Sequence, residues 1–291
     1  MKSYHDIVGD GGANVLGQVQ AIRARRARNL SEIRNLIAVA SGKGGVGKST
    51  LATQLAAGLH DAGRRVAILD ADLNGPSQAR LTGLGLKPLV PTSDGRVALP
   101  RTAHGIGVVS IGALVPEGEE LRFDTVASGE MHTWRATREF TLLEELLGTV
   151  AWGPLDDLVI DLPPGAERAV QFAEFLGAAV RFVVITIPSS LARGVVARSL
   201  AALAKTPNRV LGYVENMSGY HCIGCASTQP LFPSEQPREL AARFLGSVPF
   251  DPALAARCDR GESVFAPPTL PSAAAVAAIV ERVIAALEEV P

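Results

Sequence analysis

Residues 42–50 read Gly42-Lys43-Gly44-Gly45-Val46-Gly47-Lys48-Ser49-Thr50, which matches the pattern G-x-x-x-x-G-K-[ST]. The apolar, β-branched stretch before them (36–41) predicts a buried strand, and the apolar residues at helical spacing after them (51–59) predict a helix. In a glycine-rich turn between a strand and a helix, backbone N–H groups can surround an anion, and the helix N-terminus adds positive partial charge. The setting therefore predicts that all nine residues form a phosphate-binding loop, rather than an ordinary glycine turn.

The two lysines of this loop have different predicted roles. Lys48 supplies a cation to the outer phosphates of a bound nucleotide, and the Ser49 hydroxyl can be a ligand of Mg²⁺. One lysine is enough for that task, and the chain has only five lysines against 23 arginines, so Lys43 needs a separate explanation. Lys43 is either an exposed loop charge or a group that reaches the nucleotide of a dimer partner, where it would neutralise transition-state charge as arginine fingers do.

Further apolar stretches predict a parallel sheet. Strands are predicted at residues 65–70, 107–111, 158–161, 182–187 and 209–214, each nearly continuous in Val, Ile and Leu. Such runs are typical of strands that helices cover on both faces. Because helical stretches lie between most of them, we predict an α/β fold with a doubly wound, mainly parallel sheet of the P-loop NTPase type.

The bulk properties are those of a globular chain with a sizeable core. It has 291 residues, of which 47% are hydrophobic and 20% charged, and its net charge is −1. That charge argues against a nucleic-acid partner bound through overall charge. No apolar run reaches the roughly 18 residues of a membrane span and no signal peptide opens the chain, so we expect a cytoplasmic protein without a membrane partner. Three cysteines in such a protein favour metal or redox chemistry over disulfides.

The chain is predicted to divide into an N-terminal segment, residues 1–34, and one P-loop ATPase domain, residues 35–291. The first segment is predicted to be an extended arm and a helix over residues 13–35, with a basic face that is either solvated or docks an anionic partner. Its arginines are Arg23, Arg25, Arg26, Arg28 and Arg34. Within the domain, we predict an irregular insertion at residues 112–140 and a last helix at residues 272–289 that packs on the core.

Aspartates end or follow two of the predicted strands. Asp70 and Asp72 lie at the end of the strand at residues 65–70, and Asp161 ends the strand at residues 158–161. Ligand groups collect at the carboxyl ends of parallel strands. Asp72 is therefore predicted to orient the water that attacks the γ-phosphate, Asp70 to support Mg²⁺, and Asp161 to hold Mg²⁺ directly or through water. A turn-forming or helix-capping aspartate is the alternative for Asp70 and Asp72.

An asparagine and two cysteines follow the strand at residues 209–214. The Asn216 amide suits the edge of an adenine ring, and a turn asparagine is the alternative. Cys222 and Cys225 form a Cys-x-x-Cys motif, which places two thiolates on one turn. Zinc and cubane clusters take four ligands, so two chains of a symmetric dimer would complete one site. A redox dithiol and two incidental cysteines are the alternatives, and Cys258 is predicted to be a structural thiol.

Taken together, these motifs resemble those of the Mrp-type iron–sulfur cluster carrier ATPases, relatives of ParA and MinD with the deviant Walker A loop K-G-G-x-G-K-[ST]. The stretches that carry the resemblance are residues 42–50, 70–77, 134–135, 159–165, 214–218, 222–225 and 246–252. The resemblance implies an ATP-bridged homodimer in which Lys43 acts across the interface. It also implies ATP hydrolysis with Mg²⁺, a labile [4Fe–4S] cluster on the paired cysteines, and transfer of that cluster to apoproteins.

The chain departs from the family pattern in three places. After Pro163-Pro164-Gly165 the family usually continues Thr-Gly-Asp, whereas this chain has Ala166-Glu167-Arg168. Residues 231–236 stand where family members commonly have a glycine-rich Phe-Gly-x-Gly-Gly stretch, and the basic helix stands where many have a separate domain. Two alternatives stay open: a ParA/MinD-like partition or positioning ATPase without a cluster, and Zn²⁺ on the thiolates.

Overall fold

A computed structural model describes residues 15–113, 131–222, 224–225, 227–232, 240–263 and 269–289. Its main sheet has the order β10-β8-β7-β1-β6-β2-β4 with all neighbours parallel, and β9 pairs antiparallel with β8. A second, two-stranded sheet pairs β3 with β5. The strands are β1 (Ile33–Ser41), β2 (Val66–Asp70), β3 (Val97–Ala98), β4 (Gly107–Val109), β5 (Val150–Ala151), β6 (Leu155–Asp161), β7 (Val180–Thr186), β8 (Arg209–His221), β9 (Thr228–Gln229) and β10 (Phe244–Phe250).

Helices cover both faces of the main sheet. One apolar cluster joins one face of the sheet to α2, α7 and α8, and a second joins the opposite face to α4, α5 and α6. The helices are α1 (Val15–Leu30), α2 (Lys48–Asp61), α3 (Gln78–Leu81), α4 (Met131–Thr149), α5 (Ala166–Leu176), α6 (Ser190–Leu203), α7 (Pro252–Asp259) and α8 (Pro271–Glu288). The predicted doubly wound, mainly parallel α/β fold is therefore confirmed.

The strand before the glycine-rich loop lies at the centre of the sheet. β1 pairs in parallel with β6 on one side and β7 on the other, and residues 35–41 of β1 are all buried. Side chains alternate between the two apolar clusters, with Ile37 and Val39 on one face and Ala38 and Ala40 on the other. Since all these strands run in the same direction, their carboxyl ends meet at one edge of the sheet, where the loop begins.

The predicted N-terminal helix is wrong at its C-terminal end. Helix α1 ends at Leu30, and residues 33–35, which we predicted to be helical, are the first residues of β1. Residues 13–14 and the predicted extended arm lie outside the described residues. The helical spacing of apolar residues ran on into the strand because a buried strand is also rich in Ile and Leu. Asn29 marks the true end of the helix: its buried amide donates to the carbonyls of Leu147 and Val150.

The predicted irregular insertion at residues 112–140 is wrong in its second part. Helix α4 begins at Met131, and residues 114–130 lie outside the described residues. Among the residues of α4 whose side chains the structure describes, 139–149, the buried leucines are Leu143, Leu146 and Leu147, beyond the predicted insertion. β4 is also shorter than predicted, since it ends at Val109 and a 3-10 turn follows at Ile111–Ala113.

In the described part of the chain, none of the helices combines the length and the apolar character that crossing a membrane requires.

Candidate functional site

The loop at residues 42–47 depends on its glycines. Gly45 and Gly47 have left-handed backbones, with φ of +75° and +78°, which side chains other than glycine rarely adopt. Gly42 packs against α6 so closely that a Cβ would lie 2.6 Å from Cγ1 of Val195. Helix α2 starts directly after Gly47, whose carbonyl accepts the Leu51 N–H at 3.0 Å. The strand, turn and helix that the sequence predicted are therefore present, with the helix N-terminus at the loop.

Lys48, Ser49 and Asp161 come together where β1 and β6 end. The Lys48 ammonium is buried, with 6% of the residue exposed, and forms an ion pair with the Asp161 carboxylate. It also donates to the Ser49 hydroxyl at 3.2 Å. Hydroxyl and carboxylate oxygens are the ligands that Mg²⁺ prefers, and the ammonium beside them suits a phosphate. The residues present fit a magnesium–nucleotide site, and their individual roles remain predictions.

Gln78 also belongs to this group, and it was not among the site residues predicted from the sequence. Its buried amide donates to Oδ2 of Asp161 at 2.9 Å and to the Ser49 carbonyl at 3.1 Å, and it accepts from the Thr53 hydroxyl at 2.8 Å. Gln78 thus holds the Asp161 carboxylate on the side opposite Lys48 and joins β6 to α2. The available signal was its place one residue after the stretch at residues 70–77, at the start of α3.

Asp70 is buried among hydrogen-bond donors. Its Oδ2 accepts from the Ser77 N–H at 2.9 Å, the Gln78 N–H at 3.0 Å and the Ser110 hydroxyl at 2.9 Å. Burial, with the nearby Asp161 charge, raises the pKa of Asp70 to about 7. The contacts with Ser77 and Gln78, at the start of α3, match the turn-forming or helix-capping alternative that the sequence left open, and support of Mg²⁺ by Asp70 remains a prediction.

Asp72 lies on the loop that follows β2, two residues after Asp70. Its carbonyl accepts the Gly75 N–H at 3.2 Å, which closes a turn. Burial raises the pKa of Glu139 on α4 above its ordinary value, the Arg168 guanidinium partly offsets this rise, and the charge of Asp72 adds to it. Arg168 follows the Pro-Pro-Gly turn and also covers the rings of Phe140 and Phe172. Arg168, one of the three residues that depart from the family pattern, therefore joins α5 to α4.

Lys43 is exposed at the surface of the loop. Its carbonyl accepts from the Ser41 hydroxyl at 2.9 Å, which fixes the backbone. Among the described residues, its ammonium makes no hydrogen bond or ion pair. An exposed cation at this edge is available to a second molecule, and the predicted action across a dimer interface remains a prediction.

Asn216 does not follow the strand as predicted but lies within it, because β8 continues to His221. Its side chain is buried and contacts the glycine-rich loop, with Nδ2 donating to the Val46 carbonyl at 2.9 Å. A Cβ on Gly47 would lie 2.2 Å from the same Nδ2. The adenine contact remains a prediction, and the contact that the structure adds is with the loop backbone.

The two cysteines of the Cys-x-x-Cys motif lie in the turn between β8 and β9. Both are free, Cys225 is exposed, and its Sγ lies 2.9 Å from the Ser227 hydroxyl. That hydrogen bond lowers the pKa of the Cys225 thiol, which favours the thiolate that binds metals. Cys258 is different, since it is buried in α7, accepts from the Gln54 amide at 3.3 Å, and has its pKa raised by burial. Cys258 therefore has the surroundings of the structural thiol that we predicted, and metal binding by Cys222 and Cys225 remains a prediction.

This loop on a central parallel strand, with its lysine paired to the aspartate that ends the neighbouring strand, defines a P-loop NTPase. More closely, the chain belongs to the family of NUBPL iron-transfer P-loop NTPases of the ParA group, whose family model matches residues 32–284. This confirms the resemblance found in the sequence.

Two curated relatives have similar sequences over most of their length. The chain is 37% identical over 270 residues to the human cytosolic Fe-S cluster assembly factor NUBP2, covering 88% of this chain and 94% of that protein. It is 35% identical over 254 residues to the iron-sulfur cluster carrier protein of Saccharolobus solfataricus, covering 85% of this chain and 82% of that one.

Solved structures agree with this placement. The nucleotide-binding protein of Archaeoglobus fulgidus, in complex with ADP, superimposes with a TM-score of 0.67 at 32% identity, covering 82% of this chain and 90% of the other. The cell division ATPase MinD of Pyrococcus furiosus superimposes with a TM-score of 0.60 at 19% identity, covering 87% and 99% of the two chains. The second likeness is one of fold alone.

Proposed function

We propose that this chain is an ATP-hydrolysing iron–sulfur cluster carrier. Two copies would bind a labile [4Fe–4S] cluster between them and transfer it to apoproteins of the cytosol. One observation supports this proposal most directly. The two free thiols, Cys222 and Cys225, follow β8 at the same edge of the sheet as the phosphate-binding loop. The names of the human and Saccharolobus relatives, an assembly factor and a cluster carrier, support the cargo and the cytosolic location.

The nucleotide half of the proposal rests on the buried residues around the loop. Lys48 binds the outer phosphates of the nucleotide, and the N–H groups of the loop bind its other phosphate groups. Ser49 and Asp161 are the residues that would hold Mg²⁺, with Asp70 in support. Mg²⁺ supplies charge neutralisation at the phosphate oxygens. Asp72 orients the attacking water, and Lys43 of each copy contacts the nucleotide of its partner.

The cargo half rests on the count of thiols. One chain offers two free thiols in this turn, the partly exposed Cys222 and the exposed Cys225, whereas a cubane cluster takes four ligands, so two chains provide one complete set. The Ser227 hydroxyl lies within hydrogen-bond distance of the Cys225 sulfur, at 2.9 Å, and hydrogen bonds to ligand sulfurs tune clusters. Each chain contributes only two thiolates, so the cluster loses half of its ligands when the two subunits separate. This arrangement suits a cluster that is transferred to another protein.

Anaerobic reconstitution with iron and sulfide tests the proposal. We expect the visible absorbance of an iron–sulfur chromophore in the native chain, its loss in both Cys222→Ala and Cys225→Ala, and its retention in the matched control Cys258→Ala. Transfer is then followed as activation of an apoprotein that needs a [4Fe–4S] cluster. Colour that persists in both single variants contradicts the ligand assignment, and zinc without iron in protein purified without oxygen contradicts the cargo.

A further inference from the structure

Strand β8 contacts the phosphate-binding loop directly. The Asn216 amide donates to the Val46 carbonyl at 2.9 Å and is packed against the Cα of Gly47. Gly47 has a left-handed backbone and ends the loop where α2 begins. Any change in the backbone at Val46 and Gly47 therefore either moves Asn216 or breaks this hydrogen bond.

The same strand continues beyond Asn216 to the cysteines. The turn that contains them connects β8 to β9, with Tyr220 opposite Gln229 and His221 opposite Thr228. The Cys222 N–H donates to the Ser227 carbonyl at 2.9 Å, which closes the turn. Asn216 and Cys222 are six residues apart, at most about 20 Å along a strand. The thiol turn is thus an extension of the strand that contacts the loop.

Between these two contacts β8 is irregular. On the neighbouring β10, Val248 lies opposite Asn216 and Phe250 lies opposite Tyr220. An advance of two residues along β10 therefore corresponds to four residues along β8. Within this bulge Met217 has φ of +53°, a left-handed backbone that residues other than glycine rarely adopt. Bulges redirect side chains next to functional sites, and this one lies between the loop contact and the thiols.

We propose that Asn216 is a positioning residue that couples the phosphate-binding loop to the thiol turn, so that nucleotide in the loop changes the accessibility of Cys222 and Cys225. The inference rests on the proposed function for the two sites that it joins. Bound phosphates fix the N–H groups of the loop, and the hydrogen bond from Asn216 to Val46 transmits that order into β8. The bulge at Met217 is the element that changes arrangement. By linkage, any factor by which nucleotide changes the affinity of the thiols for a ligand is also the factor by which that ligand changes nucleotide affinity.

The experiment uses the full chain without a cluster. The rates at which iodoacetamide alkylates Cys222 and Cys225 are measured by mass spectrometry, without nucleotide and with saturating ADP or a non-hydrolysable ATP analogue. We expect nucleotide to change these rates by about 5-fold or more, the lower end of typical coupling between sites. We call the alkylation rate with nucleotide relative to the rate without it the nucleotide ratio. In Asn216→Ala the nucleotide ratio falls below about 2-fold at saturating nucleotide. The buried Cys258 serves as the internal reference.

A matched control is the other asparagine of this strand region. Asn208 lies just before β8 and donates to the carbonyls of Gly177 and Val180 at 2.8 and 3.1 Å, far from the loop. Asn208→Ala removes backbone hydrogen bonds of the same kind and keeps the native ratio. Met217→Gly removes the left-handed strain and lowers the ratio while Asn216 is intact. Circular dichroism shows which variants fold. If Asn216→Ala does not fold, the alkylation rates of Met217→Gly test the coupling instead.

Two results overturn the inference. One is a native ratio in the folded Asn216→Ala variant, or in Met217→Gly when Asn216→Ala does not fold. The other is alkylation that nucleotide does not change in a native chain that binds nucleotide by calorimetry. A chain that binds no nucleotide, or that fails reconstitution, contradicts the proposed function instead, so the two failures are distinguishable.

Discussion

Two lysines in one loop have opposite surroundings, and this difference can be tested by substitution. Lys48 is buried against Asp161, whereas Lys43 is exposed. We expect Lys48→Ala to lower ATP affinity by roughly 10- to 100-fold, because a hydrogen bond to a charged group contributes about 1.5–3 kcal/mol. Lys43→Ala should leave affinity nearly unchanged and slow hydrolysis by roughly 1,000-fold, as loss of an arginine finger does.

Calorimetry with a non-hydrolysable ATP analogue and a phosphate-release assay check these two expectations. Lys205→Ala, at an exposed position after α6, is the matched control for loss of a surface charge. Equal loss of affinity in the Lys48 and Lys43 variants contradicts the separate role of Lys43.

A second residue-scale prediction concerns the buried carboxyl of Asp70. Its pKa is about 7 in the folded chain against an ordinary value of 3.8, so the folded state retains a proton that the unfolded state has lost. The contribution to stability is complete below about pH 4 and is lost as pH rises to about 7, at up to ~1.4 kcal/mol per pH unit. Asp70→Asn cannot ionise, and its unfolding free energy should fall less over this range.

Urea unfolding of both proteins between about pH 5 and about pH 7, with a chelator and without nucleotide, measures the difference. If the difference in unfolding free energy between the native chain and Asp70→Asn stays constant over this pH range, Asp70 of the folded chain is ionised throughout it, which contradicts the prediction.

At the scale of elements, the contact between α4 and α5 makes the clearest prediction. Arg168 forms an ion pair with the half-buried Glu139 and covers two phenylalanine rings at 5.4 and 5.5 Å. We expect Arg168→Ala to lower the free energy of unfolding by about 1–2 kcal/mol, and Arg168→Lys to lower it less, because lysine keeps the charge but stacks poorly.

Urea unfolding again supplies the measurement, and Arg65→Ala is the control. Arg65 pairs with Asp156 at the surface, where such pairs contribute about 0–1 kcal/mol. Similar losses in the two alanine variants would mean that the ring contacts and the burial of Glu139 add nothing.

Elements whose signal is local were predictable from the sequence, and elements that depend on distant contacts were not. The strand, glycine loop and α2 follow from 24 neighbouring positions between Leu36 and Leu59, and the structure has all three. Gln78 could not be assigned, since its role depends on Asp161, 83 residues away. The course of β8 through Asn216 was also missed, because the polar residues Glu215, Asn216 and Ser218 interrupt the apolar run and look like the end of a strand.

For the whole molecule, the proposed carrier has a fixed stoichiometry. Two thiols from each chain predict about four iron atoms per two chains and a cluster-bridged dimer. Sedimentation of the reconstituted native chain should show a dimer that returns to the lighter species when a chelator removes the iron. Cys222→Ala, reconstituted in the same way, should not gain the iron-dependent mass. A coloured monomer with four iron atoms contradicts the shared site.

The central position of β1 also determines when the sheet can assemble as the chain is synthesised. Its two partners, β6 and β7, come about 120 and 140 residues later in the chain. Synthesis proceeds from the N-terminus, so β1 and the apolar face of α2 leave the ribosome long before the strands that cover them. Such non-local pairing slows folding and leaves apolar surface open to chaperones. A nascent chain that stops before β6 therefore contains the entire phosphate-binding sequence but lacks Asp161 and has no assembled site for a nucleotide.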